Sequence, residues 1–160
     1  MGGRTPYSSL AERAALVAEH ATVVEVDRTS LDVIKNLNAA IFDEERVINT
    51  FDREDLMILL VMIEGEPVGF KVGYRENRFV YYSAKGGVLP EYRRQGLARK
   101  MLYEMMSRAR ERGYIRFAYD TFPNHNAGMT IMGLQEGFRV VKADFNKTYK
   151  DWRLRMEKRM

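Results

Sequence analysis

The sequence predicts an α/β (α+β) fold built on one central mixed sheet, and three observations carry that expectation. Three strand-like segments joined by short polar turns occupy residues 57–88. A long amphipathic segment, Gly96–Arg112, follows with its apolar residues at helical spacing. Beyond it come a strand, a helix and a terminal pair of strands, an order that calls for helices packed on a sheet. At 160 residues the chain is long enough for one domain whose core needs no disulfide or structural metal.

Each element has its local reason. Residues 1–21 read as a leader ending in a short helix, capped at Ser8 or Ser9 and running to about His20, with Leu10, Ala14 and Val17 on one face. The domain proper is expected to occupy residues 22–160. Thr22–Arg28 alternates as a first strand, and Ser30 is the expected cap of a helix whose Leu31, Ile34, Leu37 and Ile41 share a face. Asp43-Glu44-Glu45-Arg46 then interrupts the apolar pattern as a second short helix or a loop. Met57–Ile63 and Val68–Tyr74 are strands joined by the turn residues Glu64-Gly65-Glu66-Pro67, and Arg75-Glu76-Asn77-Arg78 leads to a third strand from Phe79 to about Val88. In the helix Gly96–Arg112, Leu97, Met101, Met105 and Ala109 line one face, and Gly113 stands where a C-cap belongs. Tyr114–Thr121 is a strand, Asn126–Glu136 a short helix and Phe138–Asn146 a strand. Trp152–Lys158, alternating apolar and charged residues, is expected to close the sheet.

Composition excludes several classes of function. Hydrophobic residues make up 46% of the chain and charged residues 30%, a balance that rules out wholesale disorder. The net charge of +4 suits a polyanionic small ligand as well as a nucleic acid. There is no cysteine, which excludes a disulfide, a thiolate zinc site and an acyl-cysteine intermediate; with only two histidines no metal site is expected. The longest apolar run, Met57–Ile63, is too short to span a bilayer, and the N-terminus has no apolar signal region, so no membrane partner is expected and the expected location is cytoplasmic.

The chemistry concentrates in Gly86-Gly87-Val88-Leu89-Pro90-Glu91-Tyr92-Arg93-Arg94-Gln95-Gly96-Leu97-Ala98. A strand ends at Val88, Pro90 stops its continuation, and a basic loop enters a helix at Gly96. Such a junction presents unpaired backbone N–H groups at the positive end of the helix dipole, a site for an anion. It is neither a Walker A loop nor a dinucleotide fingerprint. A charged connection that binds nothing would have the same composition.

Arg93-x-x-Gly96-x-Ala98, preceded by Val88-x-Pro90-Glu91-Tyr92, resembles the acetyl-CoA pyrophosphate loop of the GCN5-related N-acetyltransferases (GNAT). Asn126, Met129, Met132 and the pair Gly137-Phe138 are similar in spacing to that family's later helix-to-strand segment. The resemblance covers nearly the whole chain from about Thr22. It implies a central mixed, mostly antiparallel sheet flanked by helices in a single domain. It also implies an N-acetyltransferase that moves an acetyl group from acetyl-CoA directly to a primary amine in a ternary complex, the amine belonging to a small molecule or a peptide.

Position by position, the resemblance implies that Val88 pairs its backbone with the pantetheine arm. The amides of Arg94, Gln95, Gly96, Leu97 and Ala98 wrap the pyrophosphate, with charge from Arg93 and Arg94, and Asn126 sits beside the pantetheine or the departing thiol. Where many members carry a tyrosine acid, seven residues after the asparagine, this chain has Gly133. Where some carry a catalytic glutamate, six before Val88, it has Tyr82. The remaining candidates for moving the amine's proton are Glu44, Glu45, Asp120, or water relayed by Tyr82 or Ser83, with His125 nearby in sequence. The missing acid leaves a second reading, a catalytically weak or inactive acyl-CoA-binding module. A third, a basic nucleic-acid binder, has no helix-turn-helix or RNA-recognition signature behind it. The N-terminal helix and the final strand are the places where a homodimer would form.

Overall fold

The computed structural model describes residues 18–160. In chain order its elements are β1 (Thr22–Val26), α1 (Leu31–Phe42), β2 (Met57–Ile63), β3 (Glu66–Arg75), β4 (Val80–Val88), α2 (Leu97–Glu111), β5 (Arg116–Thr121), α3 (Ala127–Gln135), β6 (Arg139–Asn146) and β7 (Asp151–Arg159). The seven strands follow the order β1-β2-β3-β4-β5-β7-β6. β1 runs antiparallel to β2, and β7 antiparallel to both β5 and β6, whereas β4 pairs in parallel with β5, the direction a crossover through α2 imposes. This is the mixed, mostly antiparallel sheet with flanking helices that the sequence led us to expect.

Local differences have local causes. The leader helix expected over residues 8–20 lies outside the described residues except for a helical end at residues 18–20. Ser30 makes no capping bond; the Asp27 carboxylate caps instead, accepting from the Thr29 amide at 2.9 Å and starting a turn of 3-10 helix that runs into α1. The β2–β3 turn contracts to two residues, Glu64 (φ 51°) and Gly65 (φ 79°), as a tight hairpin requires, so that Pro67 lies within β3. The last strand does not close the sheet. β7 inserts between β5 and β6, burying Met156, and leaves β6 as the edge.

The contacts divide the chain into two compact units. The first comprises the described residues through Thr50, with Met57–Val72 and Lys85–Met105. In it Val61, Val68, Val88, Leu97, Met101 and Ala21 form one buried cluster. The second comprises Phe51–Leu56, Gly73–Ala84 and Met106–Met160. Its core is aromatic: Tyr81 packs edge-on to Tyr114 at 5.1 Å, and Phe138 edge-on to Phe117 at 6.1 Å and Tyr119 at 5.1 Å. Asp55 ties this core together. It accepts from the Tyr114 hydroxyl at 2.7 Å and the Arg112 guanidinium at 2.8 Å, and its carbonyl accepts from the Tyr81 hydroxyl at 2.9 Å. Phe79, just ahead of β4, is exposed beneath the Arg78 guanidinium.

β3 is buried on both faces from Val68 to Gly73, and this traps a charge. Lys71 lies between buried Phe70 and Val72 and is itself only 5% exposed. Burial lowers its pKa from 10.5 to about 8. Between those two values the unfolded chain holds the proton more tightly than the folded one, so stability rises as pH climbs from about 8 toward 10.5. Chemical denaturation over pH 7–11 should therefore show a gain on the order of 3 kcal/mol from this residue. Lys71→Met should remove that slope and be the more stable protein at neutral pH; an unchanged slope would refute the assignment.

Candidate functional site

The first unit contains the basic loop, and both of its ends are fixed. Val88 closes β4 and Leu97 opens α2, and the two side chains meet in the same buried cluster. Between them the Leu89 amide donates to the Val68 carbonyl at 2.9 Å, after which Pro90–Tyr92 make one turn of 3-10 helix. Arg93 is extended (φ −70°, ψ 159°), and its Nε donates to the Val88 carbonyl at 3.3 Å. Arg94 (φ 61°) and Gly96 (φ 79°) both take the left-handed conformation. A side chain rarely tolerates that geometry, and here two such residues, one apart, turn the chain sharply ahead of α2. The Lys100 N–H donates to the Gly96 carbonyl at 3.0 Å, so the helical ladder begins at Gly96 and the amides of Leu97 and Ala98 lie in the first turn, ahead of that bond. A Cβ added at Gly96 would have the Ala18 Cβ at 3.6 Å. Chemically this is a helix N-terminus preceded by two arginines, a combination suited to a diphosphate.

Other charges of the first unit are engaged in structural contacts. Lys100 caps the helical end at residues 18–20, donating to the carbonyls of Ala18 and Ala21 at 2.6 Å each. Glu44 is held by Lys85 at 2.5 Å, and the same ammonium donates to the Arg46 carbonyl and lies 4.6 Å from the Phe42 ring centroid. Residues 43–46 form a loop begun by Asp43 in the left-handed conformation, not a second helix. Glu45 is exposed on it. Gly87 explains why the loop sits so close to β4: a Cβ there would come within 2.8 Å of the Ile41 side chain and 2.9 Å of the Phe42 ring.

The second unit holds Tyr82, Asp120, Asn126 and Gly133. The parallel pairing of β4 with β5 ends at the Ser83–Tyr119 pair, although β4 continues to Val88. The Tyr82 hydroxyl donates to Asp120 Oδ2 at 2.6 Å. Burial, then the neighbouring Asp120 carboxylate, push the Tyr82 pKa far above that of a free phenol. Arg155, opposite Asp120 across the strand pair, lies 5.8 Å from the Tyr82 ring centroid and is held by Glu76. Asn126 caps α3, its Oδ1 accepting from the Gly128 amide at 3.0 Å, so the side-chain amide N–H₂ remains to donate. His125 makes an ion-pair contact with Asp151 at 3.1 Å on the surface.

Gly133 has a physical explanation that sequence reasoning missed. A Cβ there would fall 1.9 Å from the Tyr119 hydroxyl, which donates to the Met129 carbonyl at 2.8 Å. Tyr119 is buried, and burial pushes its pKa up to about 12. Its ring fills the space from which a side chain at 133 would grow. Among the described residues no cluster of three or more His, Cys, Asp or Glu is placed to hold a metal. No described helix is long and apolar enough to cross a membrane.

Comparison with known proteins agrees with this geometry. The sequence profile of the acetyltransferase (GNAT) family matches residues 21–130. Among solved structures, an IAA acetyltransferase from Bacillus cereus superposes with a TM-score of 0.77 at 16% identity, over 88% of this chain and 99% of its own. The ribosomal-protein-S18-alanine N-acetyltransferase of Escherichia coli gives 0.74 at 16% identity, over 87% and 93%. Naa50 of Arabidopsis thaliana, in complex with the bisubstrate analogue CoA-Ac-MVNAL, gives 0.73 at 16% identity, over 87% and 98%. At these identities the likeness is one of fold. No curated protein matches the sequence closely enough to count as a relative.

The Tyr119–Gly133 contact is testable without substrate. Gly133→Ala should destabilise the protein by about 1–3 kcal/mol because the added methyl meets the Tyr119 hydroxyl. In a Tyr119→Phe background the same substitution should cost markedly less, a coupling read by urea denaturation of the four proteins. Additive costs would mean that the two residues do not meet.

Proposed function

We propose, because the chain belongs to the acetyltransferase (GNAT) family, that it transfers an acetyl group from acetyl-CoA directly to a primary amine. The observation that carries this reading is the loop of residues 89–96, pinned by Val88 and Leu97 and curled by the left-handed Arg94 and Gly96. The amides of Arg94, Gln95, Gly96, Leu97 and Ala98 hold the diphosphate of CoA, with the Arg93 and Arg94 guanidinium groups completing its charge. The end of β4 at Val88 offers backbone groups to the pantetheine amides, beyond the point where its pairing with β5 stops. No metal takes part. The acetyltransferase domain occupies residues 22–160, residues 1–21 are a leader, and the protein works in the cytoplasm.

The transfer itself needs an amine nitrogen free of its proton, attack on the thioester carbonyl and departure of a thiolate. A chain without cysteine has no thiol to take up the acetyl group, which favours direct attack over an acyl-cysteine intermediate. Tyr82 serves as a relay: its oxygen takes the amine's proton as its own passes to Asp120, to which it is already bonded. Its raised pKa makes lasting ionisation too costly for it to act as a base by itself, so Asp120 is the final acceptor. Asn126 donates its side-chain amide to the departing sulfur. Glu45, exposed beside a Glu44 that Lys85 has neutralised, receives the positive charge of an arriving ammonium group. The thiolate leaves without a tyrosine acid from α3, since Tyr119 occupies the space at Gly133; a thiol of pKa near 8.5 needs little help. The same closure keeps a weak or inactive acyl-CoA-binding module as the second reading.

Calorimetric titration with acetyl-CoA tests the cofactor. Wild type should bind, and Gly96→Glu, which sets bulk and negative charge in the loop, should weaken binding at least a hundredfold with its circular dichroism unchanged. Failure of folded wild type to bind would end the reading. With an accepted amine identified from a panel, Tyr82→Phe should lower kcat by roughly 10²–10⁴ while acetyl-CoA affinity stays the same. A kcat within twofold of wild type would remove Tyr82 from the proton path, and binding without transfer to any amine would favour the inactive module.

A further inference from the structure

We infer that β6 is the contact strand of a two-fold homodimer, pairing antiparallel with β6 of a second copy about Ala143. β6 ends the strand order, so among the described residues no strand meets the donors and acceptors on one side of its backbone. It is also exposed along most of its length, at Arg139 through Ala143 and again at Phe145.

The two faces of the β6–β7 hairpin differ sharply. The register sets Phe145 against Trp152 and Ala143 against Leu154 on one face, and Lys142 against Arg155 and Asp144 against Arg153 on the other. An irregularity between Val140 and Lys142 leaves Val141 outside the β6–β7 register. Val140, Val141, Phe145 and Trp152 are large apolar side chains left between 46% and 53% exposed. Phe145 and Trp152 already pack edge-on at 5.8 Å. Half-exposed apolar side chains crowded beside an open strand edge are what an interface leaves behind when one partner is removed.

The sequence of the strand says which partner. Centred on Ala143, an antiparallel copy sets Lys142 against Asp144 of the second strand, twice, and Val141 against its Phe145, twice, with two small alanines at the axis. Opposite charges meet and apolar groups meet. A shift by one residue of the axis, to Lys142, would stack lysine on lysine. Lys142 and Asp144 thus admit one register and reject its neighbours. Asp144 is prepared for this, since Arg153 grips it through Nε and Nη2 at 3.1 and 2.9 Å while Lys142 stands 3.7 Å away. The partner that satisfies both the charge order and the apolar order of this strand is the strand itself, which is the condition for an isologous interface.

Sedimentation equilibrium and light scattering at 1–100 µM test the proposal on the full chain. Wild type should show twice the 18.6 kDa of one chain. Lys142→Glu sets acid against Asp144, and Asp144→Lys sets lysine against Lys142, so each alone should be monomeric with unchanged circular dichroism. Mixed one to one, the two variants restore both pairs of opposite charge and should form a heterodimer. A monomeric wild type at 100 µM, single variants that stay dimeric, or a mixture that stays monomeric would each overturn the assignment. If either single variant fails to fold, Ala143→Arg replaces it, with a monomer again expected and a dimer contradicting the proposal.

Discussion

The rest of the candidate site depends on one constraint: the basic loop is buried at both ends and free in the middle. Val88 and Leu97 lose their solvent in the same cluster, and each buried side chain of that size contributes on the order of 1.5–3 kcal/mol. Eight residues between two fixed points have little freedom. The turn at Pro90 uses some of the length, and the left-handed Arg94 and Gly96 use the rest. What remains is a solvent-facing stretch, exposed at Arg93, Arg94 and Gly96, that leads into the positive end of α2, an arrangement that favours an incoming anion. The strain of a non-glycine left-handed residue is held in place by the packing at the ends, not by the loop itself.

A second constraint acts at the glycines of β4. Gly87 lets the C-terminal end of α1 approach until Ile41 and Phe42 nearly touch the strand backbone, and Gly69 of β3 lies with its missing side chain 2.8 Å from the Gly87 carbonyl. A side chain at Gly87 would lift the helix from the strand, and one at Gly69 would press on the Gly87 carbonyl and the Val61 side chain. The close approach brings the loop of residues 43–46 down to β4, where Lys85 takes Glu44 and steadies the Arg46 carbonyl. Asn38, buried on α1, adds a bond of 2.8 Å to the Glu44 carbonyl. The loop that carries Glu45 is therefore held by three anchors on helix and strand, which is how a loop keeps a charge in a defined place.

Much of this was legible in the sequence because the signals were local. Gly113 and Gly137 punctuate helix ends, Asn126 caps α3, and Leu97, Met101, Met105 and Ala109 trace a buried stripe at helical period. The loop was legible for the same reason: a proline after a strand and a glycine before a helix mark both of its ends. What escaped was set by residues distant in sequence. Lys71 between Phe70 and Val72 has the alternation of an outward-facing residue, and only burial of β3 on both faces turns it inward. Glu44 resembled a free carboxylate until Lys85 arrived from a strand 41 residues away. The insertion of β7 between β5 and β6 leaves no mark on either strand's own pattern, because both alternate equally well.

Gly133 carries the sharpest case of this limit. Read along the chain, it is a helix residue lacking the tyrosine that a resemblance would place there, which suggests loss of a function. Read in space, it is one half of a packing pair, since Tyr119 from β5 needs the volume that any side chain at 133 would take. The hydroxyl of Tyr119 is not an acid delivered from another element in place of the missing one. It is buried, bonded to the Met129 carbonyl, and its proton is held more tightly than that of a free phenol. A tyrosine could return to position 133 only after Tyr119 had first become smaller, and each change alone would be costly, one by overlap and the other by a void. The glycine is thus fixed by the core of the second unit, and the chemistry of the leaving thiolate has to be arranged around it.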